Sequence, residues 1–212
     1  SIGNVVNPLD IIKQYGADIL RLWAASVDFK QDMRIGDEMM KQIAEQYRKV
    51  RNTFRFMLGN INAEDFDPKK DRVAYENLTE VDRYMEVLLN ETAQKAKDCY
   101  MRYDFNAATQ ALTNFMINEL SSYYLDFTKD ILYIEKKDDL RRRQVQTVIW
   151  DAVDALCRAW APVLVFTMQE VWNHFTNDES NSVHYLEFAK EQNFANAAEL
   201  KEKFDRLFAI RA

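Results

Sequence analysis

The chain has 212 residues, 48% of them hydrophobic and 29% charged, enough to bury one core without disulfide or metal staples and too apolar for wholesale disorder. Only 4 glycines and 3 prolines are present, which excludes the turn-rich sandwiches, barrels and doubly wound sheets and leaves long helices joined by short polar loops. The net charge of −6 excludes a globally basic nucleic-acid coat or membrane-surface protein, though not a local basic stripe.

Asn7-Pro8 sets an N-cap before a proline at the first helical position, and Gly16 is a stop, so a short helix is predicted over 8–15. A second covers 18–25, with Ile19, Leu20, Leu22 and Trp23 apolar, and 26–36 is a polar loop. Asp37 opens a long helix predicted to reach Leu58, where Gly59-Asn60 stops it. Met39, Met40, Ile43, Tyr47, Val50, Phe54, Met57 and Leu58 recur there at three- and four-residue steps. Residues 60–77, with Asp67-Pro68 and many charges, read as a loop. Thr79-x-x-Asp82 is a capping box with Asp in place of Glu. It opens a helix to Arg102 whose inward face is Val81, Met85, Leu88, Leu89, Thr92, Ala96 and Cys99. Asp104 caps the next helix, which runs from Phe105 to Phe127 and on toward Leu132. The last long helical pattern spans 140–175, and Pro162 must kink or break it. Residues 182–188 read as extended, and Asn196-x-x-Glu199 as the capping box of a final helix. The sum is an all-α protein, an antiparallel helical bundle preceded by short connecting helices.

The search for catalytic chemistry returns negatives. Cys99 and Cys157 lack the spacing of a metal site and suit a reducing cytoplasm. No signal peptide and no run of about 18 apolar residues is present. The chain opens on Ser1-Ile2-Gly3-Asn4 rather than Met, so we expect a piece of a longer protein. His174 reads as an exposed helix-end residue. Asp151 with Asp154, and Glu64 with Asp65, read as solvated carboxylates. No Gly-rich phosphate loop, Ser nucleophile elbow or H-E-x-x-H motif occurs.

One signal stands above this background. Tyr47-Arg48-Lys49-Val50-Arg51-Asn52-Thr53-Phe54-Arg55 holds four basic residues and no acid. Arg48, Arg51 and Arg55 fall on one side of a helix with Asn52, beside the apolar row Tyr47, Val50, Phe54. Guanidiniums spaced about 5 Å apart suit a phosphate backbone. Salt bridges to neighbouring helices are the other reading, and the residues alone leave both open. Arg141, Arg142 and Arg143, preceded by Asp138 and Asp139, read as the solvated start of a helix. Trp150, Trp160 and Trp172 read as core.

Ser1-Ile2-Gly3-Asn4-Val5-Val6-x-Pro8 resembles the stretch that ends and follows the KMSKS loop of class I aminoacyl-tRNA synthetases, and Gly16-Ala17-Asp18-Ile19-Leu20-Arg21 resembles the G-A-D-x-x-R segment that comes next. Leu22-Trp23, Ser26-x-Asp28 and Tyr47-Arg48-Lys49-Val50-Arg51-Asn52-Thr53-x-Arg55-Phe56-x-Leu58-Gly59-Asn60 resemble the isoleucyl, bacterial-type form. Tyr124-Leu125-Asp126, Ala161-Pro162-Val163-Leu164 and Glu170-Val171-Trp172 extend the resemblance in order along the chain.

The resemblance implies a parent that attaches isoleucine to its tRNA with ATP and Mg²⁺ and edits mischarged valine, because one methylene is a weak handle for binding. It divides the chain into connecting helices after the KMSKS loop (1–36), an anticodon-binding bundle (37–180) and the start of a C-terminal region (181–212). The H-I-G-H motif, the editing domain and a zinc-bearing C-terminal module of many relatives are missing here, so the piece alone is expected to hold no cofactor and no catalytic residue. Its implied partner is tRNA for isoleucine, with no membrane, and the chain is expected to be a cytoplasmic monomer. In this family the helix with Y-R-K-x-R-N-T faces tRNA, which assigns Arg48, Arg51, Asn52 and Arg55 to tRNA contact, with Lys49 and Lys41 as secondary candidates. Ser1 is then an ATP-site remnant, and Asp18 and Arg21 tie the connecting helices together. The alternatives are the same domain of a valyl or leucyl sister, or a helical scaffold whose stripe pairs with acidic protein.

Overall fold

The computed structural model describes residues 5–33 and 35–211. Helix α1 (Pro8–Tyr15) starts as predicted: the Asn7 side chain accepts the Leu9 N–H at 3.1 Å, and Pro8 needs no donor there. Gly16 ends it at φ 93°, a left-handed conformation that a Cβ would strain. Helix α2 (Ala17–Ser26) begins at once. Helix α3 (Asp37–Asn60) runs two residues past its predicted stop. Asn60 stays helical and donates back to the Phe56 carbonyl at 2.8 Å, and the chain leaves the helix only at Ile61, φ −132°.

Helix α4 (Glu80–Met101) opens on the predicted capping box: the Thr79 hydroxyl accepts the Asp82 N–H and the Asp82 carboxylate accepts the Thr79 N–H. Asp104 caps α5 (Phe105–Asn114), accepting the Ala107 N–H at 3.2 Å. The single helix predicted beyond Phe105 is one rod with three windings: α5, a π-helical stretch (Phe115–Leu125) and α6 (Asp126–Ile134). Phe115, Met116, Leu120, Tyr124 and Leu125 are buried at four- and five-residue steps, wider than the 3.6 of an α-helix, as an i→i+5 winding requires.

Pro162 breaks the next pattern as expected, between α7 (Leu140–Trp160) and α8 (Val165–Thr176). The segment expected to be extended forms a 3₁₀ turn (Val183–Tyr185) and then an irregular strap. Asn90 donates to the Gln192 carbonyl at 3.0 Å and accepts its N–H at 2.8 Å, while Gln94 donates to the Ala189 carbonyl at 3.0 Å. The strap thus finds its partners in side chains of α4. Asn196 stands before α9 (Ala197–Arg211) at φ 59°, outside the extended geometry of the predicted capping box; its carbonyl accepts the Leu200 N–H.

Bonds between distant residues set the helix directions. Tyr124 donates to Asp82 at 2.7 Å, whereas the rings of Tyr100 and Phe105 are 6.3 Å apart. The rod that starts at α5 is therefore antiparallel to α4. Arg141 meets Asp82 and the Tyr100 hydroxyl donates to the Ala159 carbonyl, so α7 runs with α4. Gln146 donates to the Asn60 carbonyl, while Tyr47 meets Thr167 beyond the end of α7, so α3 opposes α7 and runs with α8. The up-down order is the expected antiparallel bundle. Trp160, Tyr124, Phe54, Leu112, Met116 and Ile149 lie at its centre, and Leu200 and Phe204 of α9 join the same core. Truncating such a residue typically costs about 2–5 kcal/mol. A smaller cluster of Ile11, Ile19, Trp23 and Met40 sits under the connecting helices.

Two sets of charges read as solvated are instead clamps. Arg142 pairs with Asp65, Arg143 donates to the Asp65 carbonyl and to Gln146, and Arg141 bonds the fully buried Asp82 at 2.6 Å. Asp151 takes both guanidinium nitrogens of Arg72. The Asp65 and Arg72 pairs fasten the 60–77 loop along α7, with its Ile61 and Phe66 buried, while the Asp82 pair joins α7 to α4. The partners lie far away in sequence, so local charge patterning cannot reveal them.

The connecting helices are locked on by opposite charges at one elbow. Asp18 accepts the Thr167 N–H and hydroxyl, each at 2.6 Å, and the Phe166 N–H at 3.3 Å, capping α8 from another helix. Arg21 donates to the Pro162 and Val163 carbonyls, both at 2.9 Å, just beyond the end of α7. Each charge faces the helix terminus whose dipole it complements. Asp18 and Arg21, expected to tie the connecting helices to one another, instead fasten α2 to the α7–α8 elbow.

Candidate functional site

Helix α3 keeps its apolar row Val50, Phe54 and Met57 in the core, which turns the basic residues outward. Arg48, Arg51, Asn52 and Arg55 are all exposed, and at 100° per residue they fall within an arc of roughly 100°. Lys41 shares that arc two turns earlier, and Lys49 is exposed on its flank. Arg48 is held by Glu45 at 2.6 Å, an exposed pair of little intrinsic stability. Among the described residues, Arg51, Arg55, Lys41 and Lys49 have no ion-pair partner. Salt bridges to neighbouring helices, the other reading of the stripe, are therefore not what these side chains form. Ser1 lies outside the described residues.

Arg51 and Arg55 stand on the rim of a groove of about 1100 Å³ between α3, residues 61–69 and α8. Lys69 lies on the facing 60–77 loop, Glu170 and His174 project from α8, and Trp150 and Phe175 line the groove with ring centroids 4.2 Å apart. Phe66 packs against the same indole at 5.7 Å, and Arg143 sits 5.9 Å from the Phe66 ring, so the clamp that fastens the loop also supports this wall. The groove combines the cations Arg51, Arg55 and Lys69 with the carboxylates Glu64, Asp67 and Glu170, an exposed imidazole and half-exposed aromatic surface; the guanidiniums and rings are materials that hold an unstacked base beside its phosphate.

The sequence singles out the stripe but not the groove. His174 carries no signal beyond its helix-end position. Helical spacing groups Trp150 with the core tryptophans; Trp160 and Trp172 are buried, whereas Trp150 is half-exposed. Lys69 is one charge in a loop. Packing of α8 against α7 and α3, and the folding of residues 60–77 onto α7, bring these groups opposite Arg51 and Arg55.

Cys99 and Cys157 are free and buried, and burial pushes the Cys157 thiol well above its ordinary range. No cluster of three His, Cys, Asp or Glu able to hold a metal ion occurs among the described residues. No described helix is long and apolar enough to cross a membrane.

Comparison with known proteins matches residues 82–212 to the family model described as the anticodon-binding domain of tRNA ligase, and residues 1–36 to that of class I tRNA synthetases for I, L, M and V. The chain is 48% identical over 211 residues to isoleucine–tRNA ligases of Bacillus licheniformis and Bacillus subtilis, and 46% identical to that of Listeria monocytogenes. All of this chain is covered, but only 23% of each relative. Among solved structures, a leucyl synthetase (agnB2 LeuRS) of Agrobacterium radiobacter K84, in ternary complex with tRNA and LeuAMS, matches with a TM-score of 0.63 at 17% identity. That match spans 90% of this chain and 21% of the other, and it speaks to the fold.

Proposed function

We propose that this chain, which belongs to the family of anticodon-binding domains of tRNA ligases, holds the anticodon arm of tRNA on the outer face of α3. The observation that carries the reading is the pair of exposed guanidiniums without ion-pair partners, Arg51 and Arg55, on the rim of the groove holding Trp150, Phe175 and His174. Arg55, Arg51 and Arg48 grip consecutive phosphates, Asn52 reaches sugar or phosphate between them, and Lys41 and Lys49 extend the field. The groove takes one unstacked loop nucleotide against its aromatic side, a contact worth about 1–3 kcal/mol. Residues 37–180 act as the gripping bundle, 1–36 as the link to the catalytic part, and 181–212 as the start of a further region.

The chain spans about a quarter of its relatives, 23%, so the chemistry belongs to the longer protein. The similarity to isoleucine enzymes along the full chain supports tRNA for isoleucine as the partner, and ATP-dependent attachment of isoleucine, with Mg²⁺, as the reaction of a cytoplasmic, monomeric parent. The described residues contribute tRNA grip and domain positioning.

Fluorescence anisotropy with a labelled anticodon stem–loop, compared with a fully paired duplex of equal charge, tests this. Binding to both, with the stem–loop tighter by about tenfold, is expected. Arg51→Ala and Arg55→Ala should weaken both complexes, and His174→Ala only the preference for the loop. No RNA binding at low salt would favour the protein-scaffold reading.

A further inference from the structure

Side chains from one face of α7 converge on a single residue of the 60–77 loop. The Asp65 carboxylate accepts from Arg142 and, at 2.8 Å, from Gln146, while the Asp65 carbonyl accepts from Arg143. Gln146 also donates to the Asn60 carbonyl at 2.9 Å and accepts from Arg143 at 2.8 Å, which closes the network over the start of the loop. The Arg142 and Asp65 side chains are each only 16% exposed, so solvent screens this charge-assisted bond little. The loop is thereby pinned in one register along α7.

That register decides what stands behind the aromatic side of the groove. Asp65 does not line the groove, but the next residue, Phe66, does. Phe66 is 1% exposed and lies 5.7 Å from the Trp150 indole, and Phe175 lies 4.2 Å from the same indole. Arg143, Gln146 and Trp150 follow one another at three- and four-residue steps along α7. The residues that hold Asp65 and the indole that Phe66 supports therefore share one helix face. We propose that Asp65 is a positioning residue for this groove: it touches no RNA, and through Phe66 it sets the place of the indole on which an unpaired base stacks. The inference rests on the RNA reading of the groove. It separates two halves of that reading, because Arg48, Arg51 and Arg55 stand on α3, whose own apolar row holds it in the core. The phosphate grip should survive a change at Asp65, and the preference for an unpaired nucleotide should not.

Anisotropy with the labelled anticodon stem–loop and the paired duplex of equal charge, on the 212-residue chain and its Asp65→Asn variant, tests this. Asn keeps the size of the side chain and one acceptor but removes the charge. The stem–loop preference should fall toward parity, while duplex affinity stays within about twofold and its salt slope is unchanged. Acrylamide quenching of tryptophan fluorescence should rise, because Trp150 is half-exposed whereas Trp23, Trp160 and Trp172 are buried. Phe66→Leu keeps an apolar plug without the ring and should give the same split, so the test survives if Asp65→Asn fails to fold by circular dichroism. A folded Asp65→Asn that keeps the preference, or loses it with quenching unchanged, would overturn the proposal. So would an equal loss for stem–loop and duplex, which would mark a general structural effect. A wild type that binds neither RNA at low salt would instead refute the RNA reading itself, and this inference with it.

Discussion

Removing the Asp18 carboxylate should loosen the joint between the connecting helices and the bundle. Helix α8 has no cap of its own: Leu164 precedes it and makes no side-chain capping bond. Asp18, 6% exposed, supplies the cap across 149 positions of sequence, with two contacts at 2.6 Å and one at 3.3 Å. Loss of a cap costs about 1–2 kcal/mol, and loss of a partly buried charge facing a helix dipole up to about 2, so Asp18→Ala should destabilise by about 2–4 kcal/mol. For a domain of this size that lowers Tm by about 5–15 °C. Asp18→Asn keeps one acceptor but loses the charge, and should fall between wild type and Ala. Arg21 should remain bonded to the Pro162 and Val163 carbonyls in both variants, which confines the effect to the α8 end. Thermal melts followed by circular dichroism at 222 nm read the result. A Tm unchanged within about 1 °C in Asp18→Ala would refute the capping argument.

Two further perturbations act on the buried charges. Arg141→Met leaves the fully buried Asp82 with the Tyr124 and Thr79 hydroxyls but without its guanidinium, and stability in urea should drop by about 3–5 kcal/mol. Asp82→Asn in the same chain should recover part of that loss. Glu86 carries a carboxyl pKa raised by burial and then by Asp151. Above the ordinary carboxylate pKa the unfolded chain loses a proton that the folded chain keeps. Its contribution to stability is therefore complete at acid pH and declines by about 1.4 kcal/mol for each pH step between the ordinary and the raised value. Urea midpoints of the wild type should fall as pH rises above the ordinary carboxylate range, and Glu86→Gln should flatten that fall; parallel curves would contradict it.

Local chemistry explains which features were readable in the sequence. Helix α1 was delimited to the residue because Asn7, Pro8 and Gly16 act on their own backbone. The Thr79–Asp82 box was readable for the same reason, but the further duties of Asp82 toward Tyr124 and Arg141 were not, since those partners lie 42 and 59 residues away. Phe115, Met116, Leu120, Tyr124 and Leu125 recur at four- and five-residue steps inside a pattern that otherwise repeats at 3.6, and the stretch takes the wider winding. Arg141, Arg142 and Arg143 resemble a solvated run because the carboxylates that take them sit on other elements. The α3 stripe was visible because helical spacing alone places Arg48, Arg51 and Arg55 together. The groove beside it was invisible, because Trp150 and His174 meet only when α8 packs on α7, and Lys69 joins them only when the 60–77 loop folds down.

The most direct test of the α3 face is the salt dependence of tRNA binding. Each phosphate contact contributes a log–log slope of about 0.7–0.9, so the Arg51→Ala/Arg55→Ala double variant should bind more weakly and lose about 1.4–1.8 from the slope while remaining folded. A folded double variant with the wild-type slope would contradict an RNA-gripping face on α3.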